Sequence, residues 1–583
     1  MTTFQKLTKT STFTQFLTPD AKVPTIEAAK SAGAELIRTA RMVEGSFTWL
    51  VPGILEGKEN PKYEVVAVSP SAMKDLGLQE GEETTELFKE TVSGYSSRVD
   101  AIGVYPWAQA YAGWQFGQWA GQLGDGRAVS LFEGTNKTTG KRYELQLKGG
   151  GLTPYSRFAD GKAVLRSSIR EALGSEAVNA LGIPTTRALS LVNLPETMAV
   201  RESLESCAVV CRMAETWVRI GTFDLHRARG ARKEMRKLAD YCIEHVFGYE
   251  PNNSGRKVID AASKTRYQDL YTEIVKRNAN TTALWQAYGF LNGVLNTDNT
   301  SIFGLTLDYG PFAFMDTFDP SYTPNHDDGM LRYSYRNTPS VILWNLVRLG
   351  EDLGELLGAA PDFVDDTEFI EKGLNSEQIE GVKDRAETFI MESQKVFETE
   401  FLKSFNKTMG KRLGLQTFEE EDHDKILTPL LDMLQACELD FNQFFRKLSD
   451  LELFAETSSL DVEHFFPQIR GFAPMYSLEE AKDKLLNWIN TVYKPRLEKE
   501  GSKSDEERRE RMRKVNPKFI LKGWILDEVI QKARQNDFTL YHQVQKMALS
   551  PFNETWGLPE ELENRLTGDV PRSERDSQCS CSS

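Results

Sequence analysis

The sequence changes character once along its length, and that change limits the folds open to it. Up to about Ala231 the pattern is mostly strand-like, with short alternating runs between turn residues; beyond it helical periodicity dominates. YEVVAVS reads as a strand and SAMKDLG as a short helix ending at Gly77. RAVSLFE and KRYELQLKG read as a hairpin joined by TNKTTG, with Asn136 and Gly140 as its turn residues. Residues 160–181 read as a helix stopped by Gly182 and Pro184, and RALSLVNL and ETMAVRESL as two strands after it. A loop-rich stretch, 296–340, with short strands near residue 302, interrupts the helices. Residues 341–583 are almost wholly helical in pattern, with a polar loop near 497–510. Strands first and helices after is the order of a two-lobed α+β protein.

At 583 residues, length alone suggests about four domains. The pattern, which has no internal repeat, reads instead as one two-lobed core with additions at both ends. The expected division is 1–99 as an N-terminal extension, 100–210 as an N-lobe, 211–400 as a C-lobe, and 401–583 as a helical C-terminal region. The balance of 70 basic against 85 acidic residues argues against a nucleic-acid binder, which needs a basic surface. No run approaches the roughly 20 apolar residues of a membrane helix. The charge is uneven: residues 351–400 hold 15 acids and 4 bases, whereas 141–171 hold 7 bases and 3 acids. Six cysteines (Cys207, Cys211, Cys242, Cys437, Cys579 and Cys581) are too few for a disulfide framework. Cys207 and Cys211, four apart in a helix-like run, read as small buried side chains.

The basic stretch carries the chemistry. Lys148 ends KRYELQLKG, with Glu144 and Gln146 on its face of the strand. Alone it reads first as a solvated strand lysine. Glu171, on the next helix, changes the reading, because a strand Lys paired with a helix Glu orients phosphates in kinase-type sites. Farther on, LNGVLNTDNTSIFGLTLDYGPFAFMD places Asp298, Asn299 and Asp308 as hard oxygen ligands or acid–base groups. A turn rich in Asn and Asp is the alternative, and DYG alone is a weak match to the metal-binding DFG. The chain order of strand Lys, helix Glu, Asp/Asn loop and DYG is the stronger signal. No HRDxxxxN is present, and GWQFGQWAGQLGDGR is not a clean GxGxxG, which counts against a conventional protein kinase.

QLKGGGLTPYSRFADGKAVLRSSIREAL, SEAVNALGIPTTRALSLV, RMAETWVRIGTF, NTDN, LDYGPFAFMD and NPKFILKGWILDEVIQKA closely resemble the selenoprotein O family. The resemblance runs from roughly Arg38 to Phe552. It implies a protein-kinase-like fold, once classed as a pseudokinase, that transfers AMP from ATP to Ser, Thr or Tyr hydroxyls of proteins and releases pyrophosphate. ATP would lie flipped relative to kinases, with its α-phosphate facing the hydroxyl. Lys148 would hold phosphates and pair with Glu171. Asp298 would be the acid–base residue, and Asn299 and Asp308 would bind Mg²⁺ or Mn²⁺. Arg212 and Arg219, seven apart and so on one face if helical, would hold the terminal phosphates. Surface arginines on an amphipathic helix are the alternative without the family. Gly124, Asp125, Gly126 and Arg127 match the family's QLGDGRA loop near the nucleotide. A conventional kinase and a catalytically silent scaffold are the rival readings; the presence of every catalytic residue weighs against the second.

Eukaryotic members imply a mitochondrial location, otherwise a cytoplasmic one. Residues 1–19, with Lys6 and Lys9, many Ser and Thr and no acid, agree only weakly with a presequence. Vertebrate members carry selenocysteine third from the end, where this chain has Cys581, with Cys579 two before it. The resemblance implies a redox role for this Cys-x-Cys tail. Bacterial relatives pair a tail cysteine with one preceding Asn-His, but here Pro324 precedes Asn325 and His326, so that disulfide is not expected.

Overall fold

The computed structural model describes residues 1–32, 42–50, 61–95, 105–248, 265–454, 460–466 and 474–579. Its first half builds one antiparallel sheet. The strands are β1 (Thr8–Thr10), β2 (Phe47–Trp49), β3 (Glu64–Val68), β4 (Trp107–Gln115), β5 (Gln118–Gly124), β6 (Ala128–Thr135), β7 (Arg142–Lys148), β8 (Ala163–Val164), β9 (Arg187–Val200) and β10 (Leu204–Ala214). Seven run β2-β4-β6-β7-β10-β9-β3, while β1 adds to β6, β5 to β4 and β8 to β10. Three of these strands come from the first hundred residues, so that segment is woven into the sheet.

The β6–β7 hairpin forms as its turn residues require. Asn136 Oδ1 accepts from the Thr138 amide at 2.9 Å, and Gly140 takes φ +71°. The strands expected at RALSLVNL and ETMAVRESL differ: β9 runs unbroken through Pro195 to Val200, and β10 begins at Leu204. The β9–β10 register shifts between Ser206 and Cys207. The shift leaves Pro195 unopposed, so a residue with no N–H to give is tolerated. Strand β10 also replaces the helix expected around Cys207 and Cys211. Both thiols are buried on one face with Val209 and Met213, while Ala208 and Val210 face the opposite way.

Helix α1 (Pro70–Leu76) ends at Gly77 with φ +81°, and helix α2 (Leu165–Ala180) is followed by Gly182 at φ +79°. Ile169 and Leu173 of α2 share a core with Ala208 and Val210 of β10. Helix α3 (Ile220–Ala228) leads from the sheet to the helical half, which includes α4 (Arg266–Tyr288), α5 (Thr338–Asp352), α6 (Ile379–Arg412) and α7 (Phe441–Asp450). After α4 a two-stranded ribbon, β11 (Phe290–Asn292) with β12 (Phe312–Phe314), closes a loop carrying NTDN and DYG. The strands expected near residue 302 therefore lie on either side of that position; Ser301 itself makes only a single bridge to Arg219. No helix among the described residues is long and apolar enough to cross a membrane.

Candidate active site

Antiparallel register fixes the first pieces. Lys148 at the end of β7 lies opposite Val210, and Gln146 lies opposite Arg212 of β10. The side chains of Gln146, Lys148 and Arg212 thus share the face turned toward α2. Lys148 Nζ lies 2.5 Å from Glu171 Oε2 and 2.9 Å from Asp308 Oδ1. Arg212 Nη1 reaches Glu171 at 2.8 Å and Asp308 at 2.5 Å, and its guanidinium stacks over Trp217 at 4.3 Å. Gln146 Oε1 accepts from Arg212 Nε at 3.0 Å and from Nη2 at 2.6 Å, which sets the plane of the fork.

Arg219 arrives by another route, which corrects the helical reading of the arginine pair. Arg212 is a strand residue, and Arg219 is the residue that caps α3. Seven residues on a strand would face opposite ways; the turn between β10 and α3 is what brings the two together. Arg219 Nη1 donates to the Asp298 carbonyl at 2.9 Å and to Asp308 Oδ2 at 3.1 Å, with its guanidinium 4.5 Å from the Tyr111 ring centre. Burial works to raise the Asp308 carboxyl, but Lys148, Arg212 and Arg219 outweigh it and hold the group well below its ordinary value. Asp308 itself sits at φ +48°, a conformation that costs a non-glycine residue about 1 kcal/mol and is typical of functional sites. Behind the cations, burial pushes the Asp125 carboxyl up, and burial with Glu133 pushes Glu144 to about 8. At about 8, Glu144 is mostly protonated at neutral pH and does little to cancel the positive charge.

Asp298 lies in a single helical turn, Thr297–Asn299. Its Oδ2 accepts from Gln115 Nε2 at 3.1 Å, while its buried Oδ1 has no hydrogen-bond partner. Burial raises this carboxyl to about 6, against the lowering effect of Gln115 and Arg219. A base poised near neutrality suits proton abstraction from a hydroxyl. The turn is braced from two sides: Thr297 Oγ1 donates to Asp224 Oδ2 at 2.6 Å and accepts from the Trp114 amide at 2.8 Å. Asp224 in turn hydrogen-bonds Asp352 at the end of α5, a carboxyl–carboxyl contact that requires a shared proton. The Asn299 amide donates to the Val294 carbonyl at 2.9 Å, leaving its Oδ1 as the acceptor end.

The GDGR loop is a brace around its own backbone. Gly124 is at φ +151°, and a Cβ there would lie 2.4 Å from the Tyr155 ring. Asp125 points inward, accepting from the Gln109 amide and from Gln146 Nε2, both at 3.2 Å. Thr153 Oγ1 donates to the Asp125 carbonyl at 2.6 Å, and the Ser156 hydroxyl donates to the Gly126 carbonyl. Gly149 donates to the Arg127 carbonyl at 2.7 Å. The loop is thereby tied to Gln146, beside Arg212. Gln115 and Asp224 are site residues that no sequence signal marked, since each acts through a partner 73 or more residues away, whereas Thr297 lies within the NTDN loop. Gln146 was detectable as a polar residue sharing the face of Lys148.

The residues that could hold a metal ion are Asn299 and Asp308, whose two oxygens are engaged by Lys148, Arg212 and Arg219, with the unpartnered Oδ1 of Asp298 nearby in the chain. These hard oxygens fit a divalent cation that takes its other ligands from phosphates. Among the described residues no group of three or more His, Cys, Asp or Glu forms a self-sufficient metal cage.

The tail docks on the segment that follows DYG. The Cys579 amide donates to the Pro324 carbonyl at 3.0 Å, and the His326 amide donates to the Cys579 carbonyl at 3.1 Å. Burial raises the Cys579 thiol. Cys581 lies outside the described residues.

A family profile described as protein adenylyltransferase SelO matches residues 54–549. The chain is 45% identical to the protein named protein adenylyltransferase SelO, mitochondrial, of Schizosaccharomyces pombe, covering 98% of each. It is 36% identical to the protein of that name from Saccharomyces cerevisiae, covering 85% of this chain and 83% of the relative. It is 38% identical to a protein nucleotidyltransferase YdiU of Burkholderia pseudomallei, covering 85% and 87%.

Proposed function

Since the chain belongs to the protein adenylyltransferase SelO family, we propose that it acts as a protein adenylyltransferase in mitochondria, moving AMP from ATP to Ser, Thr or Tyr hydroxyls of proteins. The two yeast relatives carry that activity and location in their names. The observation that carries the reading is the convergence of Lys148, Arg212 and Arg219 on the one Asp308 carboxylate. Lys148, Arg212 and Arg219 outnumber the two carboxylates they are paired with, Asp308 and Glu171. A polyphosphate is the natural counter-charge, and guanidinium forks suit its oxygens.

In this reading residues 100–210 and 211–400 are the two lobes of a kinase-like core, preceded by an extension over 1–99 and followed by a helical region over 401–583. ATP lies flipped between the lobes, with its terminal phosphates on Arg212 and Arg219 and the GDGR loop near the nucleotide. Lys148, held by Glu171, takes phosphate oxygens. Asp298 accepts the proton of the acceptor hydroxyl, a contribution on the order of 10²–10⁴ in rate. The hydroxyl oxygen then bonds to the α-phosphorus as the bond to pyrophosphate breaks. Mg²⁺ or Mn²⁺, held by Asn299 and Asp308, supplies further charge neutralisation on the phosphates. A redox link through the tail belongs to the same proposal; because burial raises the Cys579 thiol, its reaction would require undocking.

Asp298→Asn tests the assignment. Transfer of label from α-labelled ATP should fall about 10²-fold or more, with nucleotide affinity unchanged. Wild-type transfer by this variant would remove Asp298 from the chemistry.

A further inference from the structure

The rim beside Asp298 is aromatic, strained and cationic. Strands β4 and β5 meet in a turn at Phe116 and Gly117, with φ +50° and +78°. Such turns favour Asn, Asp or Gly at the first position. Phenylalanine there costs about 1 kcal/mol, yet the residue is 39% exposed, its ring set at 5.1 Å from that of Tyr333. A residue that is both strained and exposed where it could be buried points to a contact made with something else. The turn is pinned against the catalytic loop: the Phe116 amide donates to Tyr333 Oη at 2.9 Å and to Asn296 Oδ1 at 3.2 Å, next to the Gln115–Asp298 bond.

The rim continues on both sides. Trp119 is 42% exposed, and Met330 and Leu331 are also exposed. Arg332 follows Leu331, its guanidinium 5.0 Å from the Trp344 ring centre and 3.4 Å from where a Gly117 Cβ would sit. Neighbouring Arg348 has a carboxylate, Glu351, at 2.6 Å; Arg332 forms no ion pair with a described residue. Exposed aromatics around a guanidinium stacked on an indole are the composition of protein-binding hot spots.

We propose that this rim docks the segment of the acceptor protein that carries the hydroxyl, and that Arg332 selects hydroxyls with an Asp or Glu close by in sequence. The inference rests on Asp298 being the group that receives the hydroxyl proton. Charge complementarity favours an acidic acceptor segment. The net charge of −15 does not oppose this at contact distance, because salt screens the distant charges within about 10 Å while the contact survives.

The test is a peptide library with one fixed Ser, Thr or Tyr and randomised neighbours, labelled with α-³²P ATP. Wild type should enrich Asp and Glu beside the hydroxyl, about five- to tenfold over Lys and Arg. Arg332→Gln should flatten that preference and Arg332→Glu should invert it, both with the Kd for ATP within about twofold of wild type. The same preference in all three proteins would overturn the proposal. So would a raised KM for ATP in Arg332→Gln with the acidic preference kept, since the rim would then hold the nucleotide base. If wild type labels neither the library nor any whole protein, the adenylyl-transfer reading fails and the proposal fails with it.

Discussion

At Asp308 one carboxylate touches three cations, so its removal has two separable effects. Asp308→Ala should abolish AMP transfer, because the phosphate and metal site loses its acid. It should also leave Arg219 without its carboxylate and Lys148 and Arg212 sharing Glu171 alone, at a cost of about 3 kcal/mol. An anion can replace the lost charge. Pyrophosphate should therefore raise the melting temperature of Asp308→Ala more than that of wild type; equal shifts would mean that the cations do not depend on Asp308. Gly113 tests position alone. A Cβ there would lie 2.7 Å from Asp298 Oδ1 and 2.9 Å from its Cβ. Gly113→Ala should displace the base and lower kcat about 100-fold, with circular dichroism unchanged.

Helix α3 and helix α5 hold the Asp298 turn through the Asp224–Asp352 pair. Burial, then proximity to Glu351, keeps Asp224 up at about 6, against the Thr297 hydrogen bond and Arg348; burial and Asp224 push Asp352 up, against Arg227. Both folded values lie above those of the unfolded chain. The contribution of Asp224 to stability is therefore present in full below about pH 4 and is lost as pH rises through about 6, and that of Asp352 is likewise lost as pH rises. Asp352→Asn keeps a hydrogen-bond donor without the charge, so it should stabilise the protein at pH 8 relative to wild type, on the order of 1 kcal/mol, and not at pH 4. Equal effects at both pH values would show that the pair shares no proton. This brace was not legible in the sequence, because carboxylates 128 residues apart carry no spacing signal. Elements with local signals were legible: the β6–β7 hairpin from Asn136 and Gly140, and the end of α2 from Gly182 and Pro184. The arginine pair shows where spacing misleads. Arg212 and Arg219 were expected on one helix because seven residues make two helical turns. They meet because β10 ends at Ala214 and the chain turns into α3.

Over the whole molecule, the uneven charge read from the sequence has only a partial structural counterpart. Of the basic stretch only Lys148 enters the cationic pocket, whose other two cations, Arg212 and Arg219, come from β10 and the cap of α3, while the acidic stretch, residues 351–400, runs from the end of α5 into the long helix α6 (Ile379–Arg412), far from the site in sequence. The tail ties the far end of the chain back to the loop after DYG: Asp576 N donates to Asp316 Oδ2 at 2.9 Å, and Tyr322 Oη donates to the Ser577 carbonyl at 2.8 Å. Truncation before Asp576 should raise hydrogen exchange in residues 316–326 and leave the β6–β7 hairpin protected; unchanged exchange in 316–326 would mean that the tail adds no order there. The central claim concerns which phosphorus the pocket presents to the acceptor. Incubation of the protein and its acceptors with ATP labelled at either the α- or the γ-phosphate decides it. Label from the α-position and none from the γ-position is the result predicted by an inverted nucleotide on Arg212 and Arg219; label from the γ-position alone would make the protein a kinase and contradict the account.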